Sequence, residues 1–287
     1  MRGRGPEAIS PTAHYTSYVW ARNGLSHPAL LTRRGRMMFE ALRPAMSVSG
    51  VLGGPTLEAY LLARHRAIDM LLGEAIEKDG VCQVLELACG LSARGWRFTR
   101  QHPHITYIEA DLPGMAERKR RALARIAYLP ESHRVASVDV LQADGEGSLA
   151  QLTQTLDPDA GLVIITEGLL GYLGCQQVQS LWSRIASQLA GFHAGRYLAD
   201  IQLASEAGVP VHLFRAALGA FVGGPVVLAH HSQHSDAERA LRQAGFAHAA
   251  VTRAVELAGP AAAQGPGARL AHVAQADVQA SRNVEQE

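Results

Sequence analysis

The sequence predicts an α/β fold, with a mostly parallel sheet, helices on both faces and a helical cap in front. Two observations carry this. Between residues 57 and 275, short apolar segments alternate with helical stretches at the spacing of parallel strands and their crossovers. Three of these segments end in acids, at the strand ends where open parallel sheets build ligand sites. They are Val81 to Gly90, with Glu86 and Gly90; Ile105 to Asp111, with Glu109 and Asp111; and Gly161 to Glu167.

Taken in order, residues 1–11 are rich in Arg, Gly and Pro and read as a disordered N-terminus. Residues 12–56 read as a helical cap, broken at Gly24, Pro28, Gly35 and Pro44. So interrupted a segment cannot build a core alone and has to pack on the rest. Next comes an amphipathic helix, with Leu57, Leu61, Leu62, Ile68, Leu71, Leu72 and Ile76 on one face. The alternation then begins: strand 83–87, helix 93–101, strand 106–110, helix 114–128, strand 135–139, helix 148–156, strand 162–166, helix 175–191 and strand 195–201. After a less regular stretch, a helix spans 235–244, with Ser235 as N-cap and Gly245 beyond its end. An antiparallel strand at 247–255, a Pro/Gly/Ala loop at 259–267 and a last strand at 269–274 complete a core of 57–275. Residues 276–287 form a polar tail.

Composition narrows the function classes. A chain of 287 residues with 47% hydrophobic content can bury one large core. A net charge of +1 offers no general attraction to nucleic acid. No run approaches eighteen apolar residues, so no membrane span is expected, and the basic start lacks the apolar stretch of a secretory signal. Cys82, Cys89 and Cys175 fit a reducing cytoplasm and match no zinc spacing. His230, His231 and His234 lack suitably spaced acidic or cysteine partners, so no metal is expected. The charged run Glu117 to Arg121 reads as a solvated helix face.

Acids at strand ends can accept hydrogen bonds from both hydroxyls of a ribose, so the pattern suits a nucleoside-bearing cofactor. A dinucleotide site wants G-x-G-x-x-G for its pyrophosphate. The turn here, Ala88-Cys89-Gly90-Leu91-Ser92-Ala93, has one glycine of the three. That argues against an NAD-linked oxidoreductase, which stays as an alternative beside a non-catalytic cofactor-binding protein.

Several blocks occur in a distinctive order: Thr12-Ala-x-Tyr15, Ala63-Arg64, Glu86-Leu-Ala-Cys-Gly90, Glu109-Ala-Asp-Leu-Pro113 with Lys119, Asp139-Val140, and Thr166-Glu-Gly-Leu-Leu-Gly-Tyr-Leu173. Over roughly residues 12–250 this order resembles the leucine carboxyl methyltransferase family. The resemblance is to its bacterial branch, which includes tetracenomycin-type polyketide O-methyltransferases. Two departures stand out: Ala88 replaces the usual glycine, and His27-Pro28 replaces Asp-Pro.

The resemblance implies a Rossmann-like class I methyltransferase sheet, S-adenosylmethionine as cofactor and a small-molecule acceptor methylated on oxygen. Asp111 would hold the ribose, with Glu109 as the alternative and a helix N-cap as the competing role for Asp111. Asp139 and Val140 would hold adenine, with Asp144 as substitute. Arg64 would clamp the methionine carboxylate and Glu167 its ammonium, while Glu86, Ala88 and Gly90 shape the turn between. Tyr15, Tyr18, Trp20 and Arg22 from the cap, with Tyr172, would line the acceptor pocket. A carboxylate acceptor needs no general base, whereas a hydroxyl does, and His14 and Tyr15 are the candidates. Oligomeric state leaves no signature.

Overall fold

In the computed structural model, which describes residues 11–51, 54–204, 229–257 and 265–279, the strands join one sheet. They are β1 (Gln83–Leu87), β2 (Thr106–Asp111), β3 (His133–Ser137), β4 (Gly161–Thr166), β5 (Ala194–Ile201), β6 (His248–Arg253) and β7 (His272–Asp277). Their spatial order is β3-β2-β1-β4-β5-β7-β6. All neighbours run parallel except β7, which lies antiparallel between β5 and β6. The chain winds outward from β1 to β3, then returns to lay β4 on the other side of β1. Successive crossovers therefore diverge at β1 and β4, and a crevice opens beyond their carboxyl ends.

The helices are α1 (Pro11–Arg22), α2 (Arg33–Val51), α3 (Leu57–Glu77), α4 (Arg94–Gln101), α5 (Pro113–Leu123), α6 (Leu149–Thr153), α7 (Cys175–Leu189) and α8 (His234–Gln243). Both faces of the sheet are covered, which is why β1 and β4 are buried at every position, β4 as a nearly continuous apolar run and β1 with only Gln83 and Glu86 as polar members. On one face Leu85, Leu87 and Ile164 pack with Trp182, Ile185 and Leu189 of α7. On the other, Val84, Val163 and Ile165 pack with Ala67, Ile68, Leu71 and Leu72 of α3. Thr56 starts α3 by accepting a hydrogen bond from the amide of Ala59 at 3.3 Å.

Several boundaries differ from the sequence expectation, each for a local reason. Strand β3 ends at Ser137 because, after a last bond from Val138 to Asp111, the amide of Asp139 turns to the carbonyl of Gly147 and its carboxylate accepts from Leu141, forming a turn. Asp139 thus lies beyond the strand. Helix α2 runs through Gly35 and Pro44, which do not break it. The N-cap of α8 is Gln233, and Ser235 lies within the helix. Strand β7 starts later and continues through Ala276 and Asp277, because Ala276 is fully buried opposite Tyr197 and Ala249. The polar tail expected from residue 276 thus lends its first two residues to the sheet. The disordered start expected at 1–11 lies outside the described residues except for Pro11, which opens α1.

Under α4 and α5 a charged side chain is buried outright. Glu109 accepts from the amide of Gly95 at 3.2 Å and from His133 Nε2 at 2.9 Å, and lies 3.0 Å from Lys119 Nζ. A methyl group on Gly95 would come within 2.8 Å of the carboxylate, so only glycine fits there. Burial works against ionisation of Glu109, but Lys119 and His133 outweigh it and hold the carboxyl at about 2.

Glu109 therefore stabilises the fold above the ordinary glutamate range, and this contribution fades as pH falls from about 4.5 toward 2. His14 and His272, held neutral to about 4 by burial, give stability that is lost on acidification below 6.5. Urea unfolding across a pH series should show both declines. Lys119→Met should cost about 3–5 kcal/mol at neutral pH, because it strands a buried carboxylate, and should remove the lower-pH decline.

Candidate functional site

The crevice holds a cavity of about 350 Å³ at the carboxyl ends of the strands. Its floor is the turn after β1. Ala88 and Gly90 both adopt left-handed backbone, with φ of 51° and 52°. Glycine takes this conformation freely, but for alanine it costs about 1–2 kcal/mol. The turn is tied to β2 by Asp111, whose carboxylate accepts from the amide of Gly90 at 2.7 Å and that of Leu112 at 2.8 Å. Burial raises the Asp111 carboxyl above its ordinary value, and the two amides pull it back. Asp139 and Val140 form the adjacent wall, with Arg184 holding the Val140 carbonyl at 2.7 Å.

Behind the opposite wall lies a network of buried charges. The guanidinium of Arg94, the first residue of α4, is fully buried and reaches three carboxylates at 2.6 Å: Asp69 of α3, Glu86 of β1 and Glu167 after β4. Glu86 also accepts from Tyr107 at 2.8 Å, and Arg97 braces Asp69 at 2.6 Å. Glu167 takes further contacts from His65 Nδ1 at 2.7 Å and Arg64 Nε at 3.1 Å. Arg64 reaches Asp200 of β5 through Nη1 at 2.9 Å, and Asp200 accepts from the amide of Gly168 at 2.6 Å.

Helix α1 forms the roof. Thr12, Ala13, Tyr15, Thr16 and Trp20 face the cavity, and Trp20 stacks on His65 with ring centres 4.6 Å apart. At the rim, the hydroxyls of Thr12 and Tyr172 meet at 2.6 Å. The remaining walls are apolar, including Leu169, Leu173, Trp182 and Ile201, and His230 and His231 add polar groups there.

The structure gathers Arg64, Ala88, Gly90, Asp111, Asp139, Val140 and Glu167 around this cavity, with Tyr15 and Tyr172. Glu86, Glu109, Tyr18, Arg22 and the substitute Asp144 are not among its lining residues. Glu86 is turned to Arg94 and Tyr107, and Glu109 is enclosed by Lys119 and His133, so neither carboxylate is offered to a ligand. Tyr18 and Arg22 turn from the cavity toward Phe39, because a helix cannot point residues 18 and 22 the same way as 12, 16 and 20, whereas Tyr15 sits at the border, stacked on Phe39 and still lining the cavity. The premise for Glu167, a strand-end acid lacking a partner, is also corrected: Arg64, Arg94 and His65 all engage it. Arg64 likewise spends Nε and Nη1 on Glu167 and Asp200, so it meets the cavity as a paired cation, not as an open fork.

Of the two residues considered as bases, His14 lies outside the cavity lining, bonded to Thr32 Oγ1 at 3.0 Å, and burial raises Tyr15 well above the ordinary tyrosine range. His27 caps the short helical turn that begins at Pro28, its Nδ1 accepting from the amide of Ala29 at 3.1 Å. The Cys89 thiol lines the cavity but burial pushes it up, which keeps it protonated. Sequence reasoning missed Asp200, although it lies one residue from the end of β5. Arg94 left no local signal.

Residues 27–186, more than half the chain, match the model of the leucine carboxyl methyltransferase family. The chain belongs to that family. A protein of Mycolicibacterium gilvum named "Putative S-adenosyl-L-methionine-dependent methyltransferase" is 36% identical over 113 residues, 39% of this chain. A relative in Mycobacterium ulcerans is 28% identical over 166 residues, 56% of this chain. The match spans only 36% and 52% of those two relatives. In architecture the chain is similar to a DUF574 family protein from Streptomyces avermitilis, with a TM-score of 0.68 at 14% identity, covering 96% of this chain and all of that one. It also resembles the mitomycin 7-O-methyltransferase MmcR, with a TM-score of 0.50 at 16% identity, covering 96% and 69%. These structures establish the fold as that of class I methyltransferases.

Two stability measurements test this description. Ala88→Gly should raise unfolding stability by about 0.5–1 kcal/mol, since it removes the left-handed alanine at the cost of added chain entropy. Arg94→Met should lower it by about 3–5 kcal/mol, because three buried carboxylates lose their shared cation. Equal stability of Arg94→Met and wild type would mean that the network is not formed in solution.

Proposed function

We propose that the chain is an S-adenosylmethionine-dependent methyltransferase that methylates an oxygen of a small-molecule acceptor. One observation carries the reading. Among the described residues, four carboxylates line the cavity, on Asp111, Asp139, Glu167 and Asp200, against one guanidinium, on Arg64. Glu167 is neutralised from behind, whereas among the described residues the hydrogen bonds to Asp111 and Asp139 come from backbone amides. Such a wall favours a ligand with net positive charge, as a sulfonium beside an amino acid group has, and disfavours a pyrophosphate. The amide of Gly90, which a dinucleotide would use, is already donated to Asp111.

The residues fit that cofactor. Each Asp111 oxygen keeps a lone pair for a ribose hydroxyl, and Asp139 with the Val140 amide suits an adenine edge. Arg64 and Asp200 form a charged pair for the zwitterionic methionine end. When bound, the cofactor supplies an activated methyl group. The protein's task is then alignment and exclusion of water, for which the apolar walls and the α1 roof are suited. Oxygen as the methylated atom accords with the polyketide O-methyltransferase branch that the sequence resembles.

Calorimetry tests the reading directly. S-adenosylhomocysteine should bind and NAD should not. Asp111→Ala should weaken S-adenosylhomocysteine by about 1–3 kcal/mol, the scale for a hydrogen bond to a charged group. Tight NAD binding, or unchanged affinity in a folded Asp111→Ala variant, would overturn the respective assignment.

A further inference from the structure

We propose that α2 is the seam of a homodimer, in which two copies of this chain pair their α2 helices antiparallel. The inference is independent of what the cavity binds. Helix α2 is apolar on two faces. Its inner face, with Met38, Phe39, Leu42 and Met46, packs on the core that α3 shares. Its outer face carries Met37, Ala41, Pro44, Val48 and Val51, all exposed. These five recur at steps of four, three, four and three residues, the 3.5-residue repeat of a helix that packs along another helix. A surface helix has one such face, and the opposite one is ordinarily polar.

Exposure is concentrated on this stripe. Met37 is 72%, Val48 61% and Val51 87% exposed. Among the described residues seven large hydrophobic side chains are exposed, and three of them fall on this one row. Apolar side chains scattered singly over a surface are ordinary, whereas an aligned row marks a contact surface. Ala41 and Ser47 are small, so a second helix can approach the middle of the row closely.

The charges say which partner fits. The first turn of α2 carries Arg33, Arg34 and Arg36 with no acid, and its last turn has no base. Cations at the N-terminal end oppose the helix dipole, and the C-terminal carbonyls lack a countercharge. A second α2 laid antiparallel corrects both ends at once, because each arginine cluster comes beside the other copy's C-terminal end. The stripe then meets itself, with Met37 near Val51 of the partner subunit and Pro44 at the twofold axis. A parallel pair sets the two arginine clusters side by side. An antiparallel contact of this kind is self-complementary and closes at two copies. It also steadies the roof of the cavity from behind. The ring of Phe39, on the inner face of α2, lies 5.8 Å from that of Tyr15 and 5.2 Å from that of Tyr18, and Arg22 sits 4.7 Å over it.

Sedimentation equilibrium of the full chain tests the pairing. A seam of one 19-residue helix per copy is at the small end of specific interfaces, so the pair is reversible. Monomer should give way to dimer between roughly 1 and 500 µM, the affinity range of such small contacts. Val48→Glu puts a charge into the seam at an exposed position. It should leave the circular dichroism spectrum unchanged and weaken association about tenfold or more. Cysteine variants test the direction, in a Cys175→Ser background because Cys175 is exposed. On oxidation, Met37→Cys and Val51→Cys chains mixed together should form mixed dimers, and Pro44→Cys chains should link to themselves. A chain that stays monomeric throughout that range, as it will if another segment of the same chain covers the stripe, overturns the proposal. So does a dimer that Val48→Glu leaves intact, or self-linking of Met37→Cys chains.

Discussion

The site depends on one fully buried guanidinium. Arg94 touches carboxylates from three elements far apart in sequence, on α3, β1 and the end of β4. An ion so placed is costly to desolvate, and its surroundings are tolerable only when every contact forms together. The network therefore acts as a registration device. It fixes α3 against the two central strands, and so sets where Arg64 enters the cavity and where Glu167 stands. Apolar packing alone, through Ile68 or Val163, is less particular about such positions.

The same logic separates look-alike acids. Glu86, Glu109, Asp111, Glu167 and Asp200 all sit on or just beyond the central strands, and in a sequence they look equivalent. The structure divides them by partner. Glu86 and Glu109 are matched by buried cations under the sheet, and they help to hold the fold. Asp111, at the last position of β2, escapes that layer and reaches backbone amides at the cavity instead. Two residues of strand length decide whether a carboxylate braces the protein or faces a ligand.

This explains what could be read in advance. The buried strand β4 announces itself by its apolar run, β1 by one interrupted only at Gln83 and Glu86, and α3 by its periodic leucines and isoleucines, so the mostly parallel sheet was legible although its strand order was not. Strand β3 is only half-buried, its apolar signal is thin, and its end was misplaced by two residues. The nucleoside side of the cavity was legible because its groups lie close to strand ends. The acceptor side was not. Its walls come from α1, the turn after β4, and the segment holding His230, which meet only in three dimensions. Helical phase then removed Tyr18 and Arg22 while keeping Tyr15 and Trp20. Arg94 was hidden for a different reason: an isolated arginine reads as surface until its three partners are brought together.

The hydroxyl contact between Thr12 and Tyr172 lies at the edge of the roof and does not hold it. A neutral hydrogen bond at an exposed rim contributes about 1 kcal/mol, whereas α1 is anchored by the buried side chains of Tyr15, Val19 and Trp20. Ala13 of the same helix lies over Gly90 at the cofactor turn, within 3.4 Å of where a side chain there would begin. The helix that carries the rim contact thus also lies over the turn after β1, so one element closes both ends of the cavity.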